Sequence, residues 1–272
     1  MRNPTHYLAL ALLLIGGLWH TAALAQDEFS EFDAAYAGMP LPKSTRAGNW
    51  HGLVGGAVMV LQQPIADRRS FVLPLVSVTY RHSVYWHIGQ LGVYVLSSDD
   101  HRARLALALK ARRGYDPADY AGLAGMDKRA TSAEAGLHGI WLTRAALISY
   151  GVFTDVSGHS HGNSAQLRLA HPFRIAPRWH LTPSVGAEWL SDKVVDYYYG
   201  VKPSEATPAR PAYTGTASVN LRAGLMLSHR LAHAWSLFGG VGVTRLGSGI
   251  SASPIVIHDT ISALHFGGAW HF

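Results

Sequence analysis

Arg102-Ala103-Arg104-Leu105-Ala106-Leu107-Ala108-Leu109-Lys110-Ala111-Arg112 is the stretch that decides the fold class. Its odd positions, Ala103, Leu105, Leu107, Leu109 and Ala111, are all apolar, while Arg102, Arg104, Lys110 and Arg112 fall on even positions. A helix turns about 100° per residue and would scatter these charges over every side. A strand alternates its side chains between two faces, so the same run has one apolar face and one basic face. Its length suits a strand that crosses a bilayer at a tilt. The stretch therefore reads as a wall strand with lipid on one side and a lumen on the other.

The pattern recurs along the chain. Val219, Leu221, Ala223, Leu225 and Leu227 alternate with Asn220, Arg222, Gly224, Met226 and Ser228. Trp179, Leu181, Pro183, Val185, Ala187 and Trp189 alternate with His180, Thr182, Ser184, Gly186 and Glu188, and put one Trp near each membrane interface. Connections alternate in length: 97–101, 175–178 and 231–234 are short, whereas 114–130, 157–161, 191–215 and 247–258 are mostly longer. Short periplasmic turns and long outer loops belong to membrane barrels, whose strand number is even. Parity then requires Val84 to Ile88 to ascend and reverse near Gly89-Gln90. The fold class expected is all-β, an antiparallel transmembrane β-barrel of about 12 strands, or 10 if the first segment lies outside the wall.

Both ends agree with export to an outer membrane. Arg2, the apolar run from Leu8 to Leu18 and Ala23-Leu24-Ala25 form a secretory signal peptide over 1–25, cut before Gln26. Residues 26–48 carry Asp27, Glu28, Glu31 and Asp33 and then Pro40-Leu41-Pro42, and read as a periplasmic leader with little regular structure. The barrel is expected over 49–272. The final strand, with His265, Gly267, Trp270 and Phe272, resembles the terminal signal that the barrel assembly machinery reads. The chain has no Cys, so no disulfide holds it. Its formal net charge of +6 favours anionic partners. In an exported protein these are outer-membrane lipid and lipopolysaccharide, not nucleic acid.

The second half of the chain adds a family resemblance. Asp196-Tyr197-Tyr198-Tyr199-Gly200-Val201-Lys202-Pro203-Ser204-Glu205-Ala206, followed by Pro211-Ala212-Tyr213, resembles the long loop of the MipA/OmpV family. Leu73-Pro74-Leu75, Asp155-Val156-Ser157-Gly158 and Ser253-Pro254-Ile255-Val256 resemble further pieces of it in the same order. The resemblance covers about residues 50–272. It implies an outer-membrane barrel without a catalytic motif. It also implies a scaffold joining a lytic transglycosylase to a murein synthase, with porin-like and adhesin or antigen roles as the alternatives.

His159-Ser160-His161 offers two imidazoles, but with Asp155 as the only nearby carboxylate it falls short of a metal's ligand count. No Ser-centred motif nominates a nucleophile among the 16 His, so neither enzyme nor cofactor is expected. Tyr197, Tyr198 and Tyr199 would pack over the barrel mouth or offer a binding surface. The candidate set is the lumen-facing charge: Arg102, Arg104, Lys110, Arg112, Arg168 and Arg222, with Glu134 and Glu188 as counter-charges. It would either select anions in a narrow pore or pair across the lumen and fill it.

Overall fold

The computed structural model describes residues 49–272 apart from His82 and His233; the expected signal peptide and leader lie outside the described residues. Thirteen strands follow in order. The first five are β1 (Trp50–Gln63), β2 (Ala66–Tyr80), β3 (Val84–His87), β4 (Gln90–Ser97) and β5 (Ala103–Arg112). Then come β6 (Ser132–Leu142), β7 (Leu147–Asp155), β8 (Asn163–Ala170), β9 (Phe173–Ala176) and β10 (Trp179–Leu190). The last are β11 (Ser218–Ala232), β12 (Trp235–Arg245) and β13 (Thr260–His271). Neighbours pair antiparallel, and β13 returns to β1 in a ladder from Leu53↔His271 to Leu61↔Ala263. No described helix is long and apolar enough to cross a membrane. The crossing is made by strands.

Thirteen pieces make a twelve-strand wall because β8 and β9 both pair with β10. They are one wall strand broken at His171-Pro172. Proline has no N–H to give a ladder, so it sits where the ladder is already interrupted. Pro183 of β10 lies opposite the break, where the His171 N–H donates to its carbonyl at 3.2 Å. Twelve, not ten, is the outcome, and β1 belongs to the wall.

The reversal expected near Gly89-Gln90 is present as the tight β3–β4 hairpin. Ile88 (φ 33°) and Gly89 (φ 83°) both have positive φ, the backbone that a two-residue hairpin turn demands. Because β3 has four residues, only Ser77 to Tyr80 of β2 pair with it. Above Val76, β2 has a ladder partner on β1 alone, and Pro74 lies on that half-open stretch.

Side chains alternate as the sequence implies. Leu107, Val152, Val185, Leu221 and Phe266 are exposed on the outer face. Trp50, Trp141, Trp179, Trp235 and Trp270 belt the end with short turns, which is the periplasmic end. The lumen is filled unevenly. Leu53, Met59, Leu61, Leu73, Leu75 and Phe238 pack into an apolar arc under β1, β2 and β12. Fully burying such a side chain contributes about 2 kcal/mol. The opposite arc is polar.

Within that polar arc, Gln90 Nε2 donates to Tyr85 Oη at 2.7 Å, and Tyr85 Oη lies 3.2 Å from His138 Nδ1. Tyr85 is 1% exposed, and its ring occupies the space a Cβ on Gly92 would need. Gly92→Val should displace that ring and cost about 2 kcal/mol, as overpacking does. Gly122→Ala, with open space around it, should cost nothing measurable. Boiled and unboiled gel mobility across a urea series checks both: the folded band should disappear at lower urea for Gly92→Val alone.

Candidate functional site

The period-two alternation brings six charged side chains together inside the barrel. Lys110 of β5 faces Glu134 of β6 directly across the ladder. On β10, Gly186 pairs with Arg168 on one side and Arg222 on the other. Glu188, two residues on, projects into the same lumen face. Glycine at 186 leaves the neighbouring arginines room to lie over the wall.

The ion pairs form a continuous chain. Glu134 accepts from Arg112 Nε at 2.5 Å and from Ser164 Oγ at 3.1 Å, with Lys110 Nζ at 3.3 Å. Arg112 Nη2 reaches Glu188 at 3.0 Å, and Arg222 Nη2 reaches the other oxygen of Glu188 at 3.0 Å. Arg112 thus ties β5 and β6 to β10 and β11, with β7 and β8 between them. The two carboxylates are 2% and 6% exposed, a burial that charge tolerates only when paired. Among the described residues, four cations, Lys110, Arg112, Arg168 and Arg222, and two carboxylates share this part of the lumen. A cavity of about 180 Å³ adjoins the chain, lined among others by Arg112, Tyr115, Glu188, Tyr198 and Asn220. A smaller space of about 40 Å³ is lined by Gln166, Arg168, Ser184 and Arg222.

The outer loops fold over this cavity. Helix α1 (Asp192–Tyr199) carries the three tyrosines, and α2 (Ser248–Ser251) packs beside it. Tyr198 is buried; its hydroxyl donates to Ser132 Oγ at 2.8 Å, while Tyr197 Oη accepts the Ala130 N–H at 2.8 Å. The tyrosines therefore tie loops together over the mouth. Arg129 and Glu205, from different loops and both buried, form a bidentate pair at 3.0 and 2.7 Å. Arg210 donates to the carbonyls of Gly122, Ala124 and Glu205 at 2.8 to 3.0 Å. Burial alone would raise the Glu205 carboxyl, but the Arg129 hydrogen bonds and the Asp127 and Lys202 N–H groups outweigh it and hold it down at about 2.

Not every candidate charge joins the cluster. Arg102 precedes β5 and is exposed in the β4–β5 turn. Alternation places it on the inner face, but the strand begins one residue later. Arg104 sits at the periplasmic rim, over the Tyr94 ring at 5.3 Å, with Nε donating to the His101 carbonyl. His265 and Gly267 point inward, while the Trp270 and Phe272 rings stack outside at 5.3 Å. His159 and His161 are exposed, and the Asp155 oxygens accept from Ser157, Ser160 and the His161 N–H. Among the described residues no three His, Asp or Glu side chains are grouped to hold a metal. Arg129, Glu205 and Arg210 lie outside the alternating runs that nominate the lumen charges. Irregular loops have no periodicity, and the Pro203-Ser204-Glu205 piece of the family loop was the one available signal.

Residues 54–272 match the family described as MltA-interacting protein MipA. OmpV of Vibrio cholerae is 29% identical over 142 residues, which is 52% of this chain and about half, 55%, of that protein. MltA-interacting protein of Escherichia coli is 26% identical over 210 residues, 75% of this chain and 83% of that protein. Among solved structures, an anion-selective porin from Comamonas acidovorans is 10% identical, with a TM-score of 0.41, covering 82% of this chain and 98% of that one.

The depressed Glu205 carboxyl has a pH consequence. Its folded value lies below the unfolded one, so its stabilisation is present above about pH 4.5 and is lost as pH falls toward 2. Protease protection of the outer loops should hold at pH 5 and fail in that lower window. Glu205→Gln, which leaves Arg129 buried without its counter-charge, should cost about 3 kcal/mol and loosen the loops at pH 7. Limited proteolysis of intact cells, followed by immunoblotting, measures both.

Proposed function

The chain belongs to the MltA-interacting protein MipA family, and from that premise we propose that it anchors murein-remodelling enzymes at the outer membrane. It is an outer-membrane β-barrel, as its named relatives are outer-membrane proteins. The partners proposed are a lytic transglycosylase and a murein synthase, which the family resemblance implies; the name of the Escherichia coli relative says that it interacts with MltA. The observation that carries this reading over a transport role is the filled lumen. The Lys110–Glu134–Arg112–Glu188–Arg222 chain spans it beneath a cap of interlocked loops, beside an apolar arc. A barrel so filled is built to hold its two rims apart and to present them. Its short periplasmic turns and the leader are the parts within reach of murein enzymes.

One observation favours a second reading, a narrow channel for small anions: the lumen holds more Arg and Lys than Glu. Co-purification from crosslinked envelopes and conductance in planar bilayers separate the two. The anchor reading expects enrichment of both murein enzymes over an unrelated barrel, and no steps in current. Anion-selective steps without such enrichment would replace it with the channel.

A further inference from the structure

The charge of this barrel is distributed unevenly along its axis. Residues 49–272 hold 20 Lys and Arg against 13 Asp and Glu. The outer loops and adjoining strand ends balance, with nine basic and nine acidic side chains. The lumen accounts for an excess of two positive charges. The rest sits at the periplasmic end, which among the described residues carries seven arginines and two aspartates, Asp99 and Asp100.

The arginines are spread around the whole rim. Arg81 lies in the β2–β3 turn, Arg102 in the β4–β5 turn, Arg144 in the β6–β7 turn and Arg178 in the β9–β10 turn, all exposed. Arg104, Arg174 and Arg230 lie on β5, β9 and β11 and share the inward parity of their strands: Arg174 pairs with His180, on the lumen side of β10. These three therefore border the mouth, while the outward positions at this level carry the tryptophan belt. The three arginines that border the mouth suit an acidic polypeptide laid across it better than lipid headgroups around it.

We propose that the acidic stretch at residues 27–33 docks across this mouth and pairs with the arginine ring. Asp27, Glu28, Glu31 and Asp33 bring four carboxylates, and the next charges along the chain are Lys43 and Arg46. β1 begins at Trp50, on the same rim. Asp33 lies 17 residues upstream of Trp50, a reach of up to about 55 Å when extended. Twelve tilted strands make a mouth of roughly 25 Å, so the tether spans it with slack. A tether of this length sets an effective concentration on the order of millimolar, so a free acidic partner must compete with the chain's own segment for the ring. The inference does not depend on the anchor reading above.

The chain has no cysteine, so introduced pairs report cleanly. Ser30→Cys is combined with Ala145→Cys, exposed beside Arg144, in the full-length protein purified from outer membranes. Oxidation at low salt should crosslink the pair. Crosslinking should fall about tenfold in 0.5 M NaCl, and by a similar factor when D27N, E28Q, E31Q and D33N are added at low salt. Ser30→Cys with Ala118→Cys, on an outer loop, should give no crosslink. Equal crosslinking with and without the four carboxylates would overturn the proposal, as would an intact mass showing that the mature chain starts beyond Asp33.

Discussion

A chain in lipid has no water to satisfy its amides, and this one constraint organises the rest of the molecule. Each wall strand must find partners on both sides, which a closed ring alone provides. The β13–β1 and β10–β11 ladders therefore matter as much as any side-chain contact, since they close the ring. Irregular features appear where the constraint relaxes. The β8–β9 break is covered by the Pro183 carbonyl, and β2 runs unpartnered on one side only above the short β3–β4 hairpin. Proline is found at both places, at Pro172 and Pro74.

Closure creates an interior that must be either wet or filled, and this chain fills it by two means. On one arc, β1 and β2 turn apolar side chains inward, so these strands are greasy on both faces. On the other, buried carboxylates are held by arginines that reach across several strands. Ion pairs of this kind add little net stability compared with apolar packing, because desolvation offsets their attraction. Their contribution is geometric: Arg112 has to satisfy Glu134 and Glu188 together, which fixes the distance between opposite parts of the wall.

Much of this was legible because a strand's period is two. Once Leu105, Leu107 and Leu109 were placed against lipid, Lys110 and Arg112 had to point inward, and the same logic placed Glu188 and Arg222. Parity of the strand count demanded the reversal at Gly89. What alternation does not supply is where a strand starts, so the pattern carries Arg102 into a wall strand that begins at Ala103. Nor could it show the apolar arc, since Leu73 and Leu75 carry no polar alternation to mark their inward face. The cap was least legible. Arg129 and Glu205 are 76 residues apart on loops without periodicity, and a pairing at that separation is visible only once the fold brings the loops together.

The interlocked cap determines what another cell or molecule meets at the surface. Leu123 and Met126 from one loop, Tyr198 and Val201 from another and Ile250 and Ile255 from a third pack into two small cores that meet at Val256, so the outward face is a composite of segments far apart in sequence. An antibody or phage that reads this face reads a discontinuous epitope. Peptides copied from any single loop would present the residues without the shape, and sera raised against boiled protein would recognise a surface that the living cell does not display.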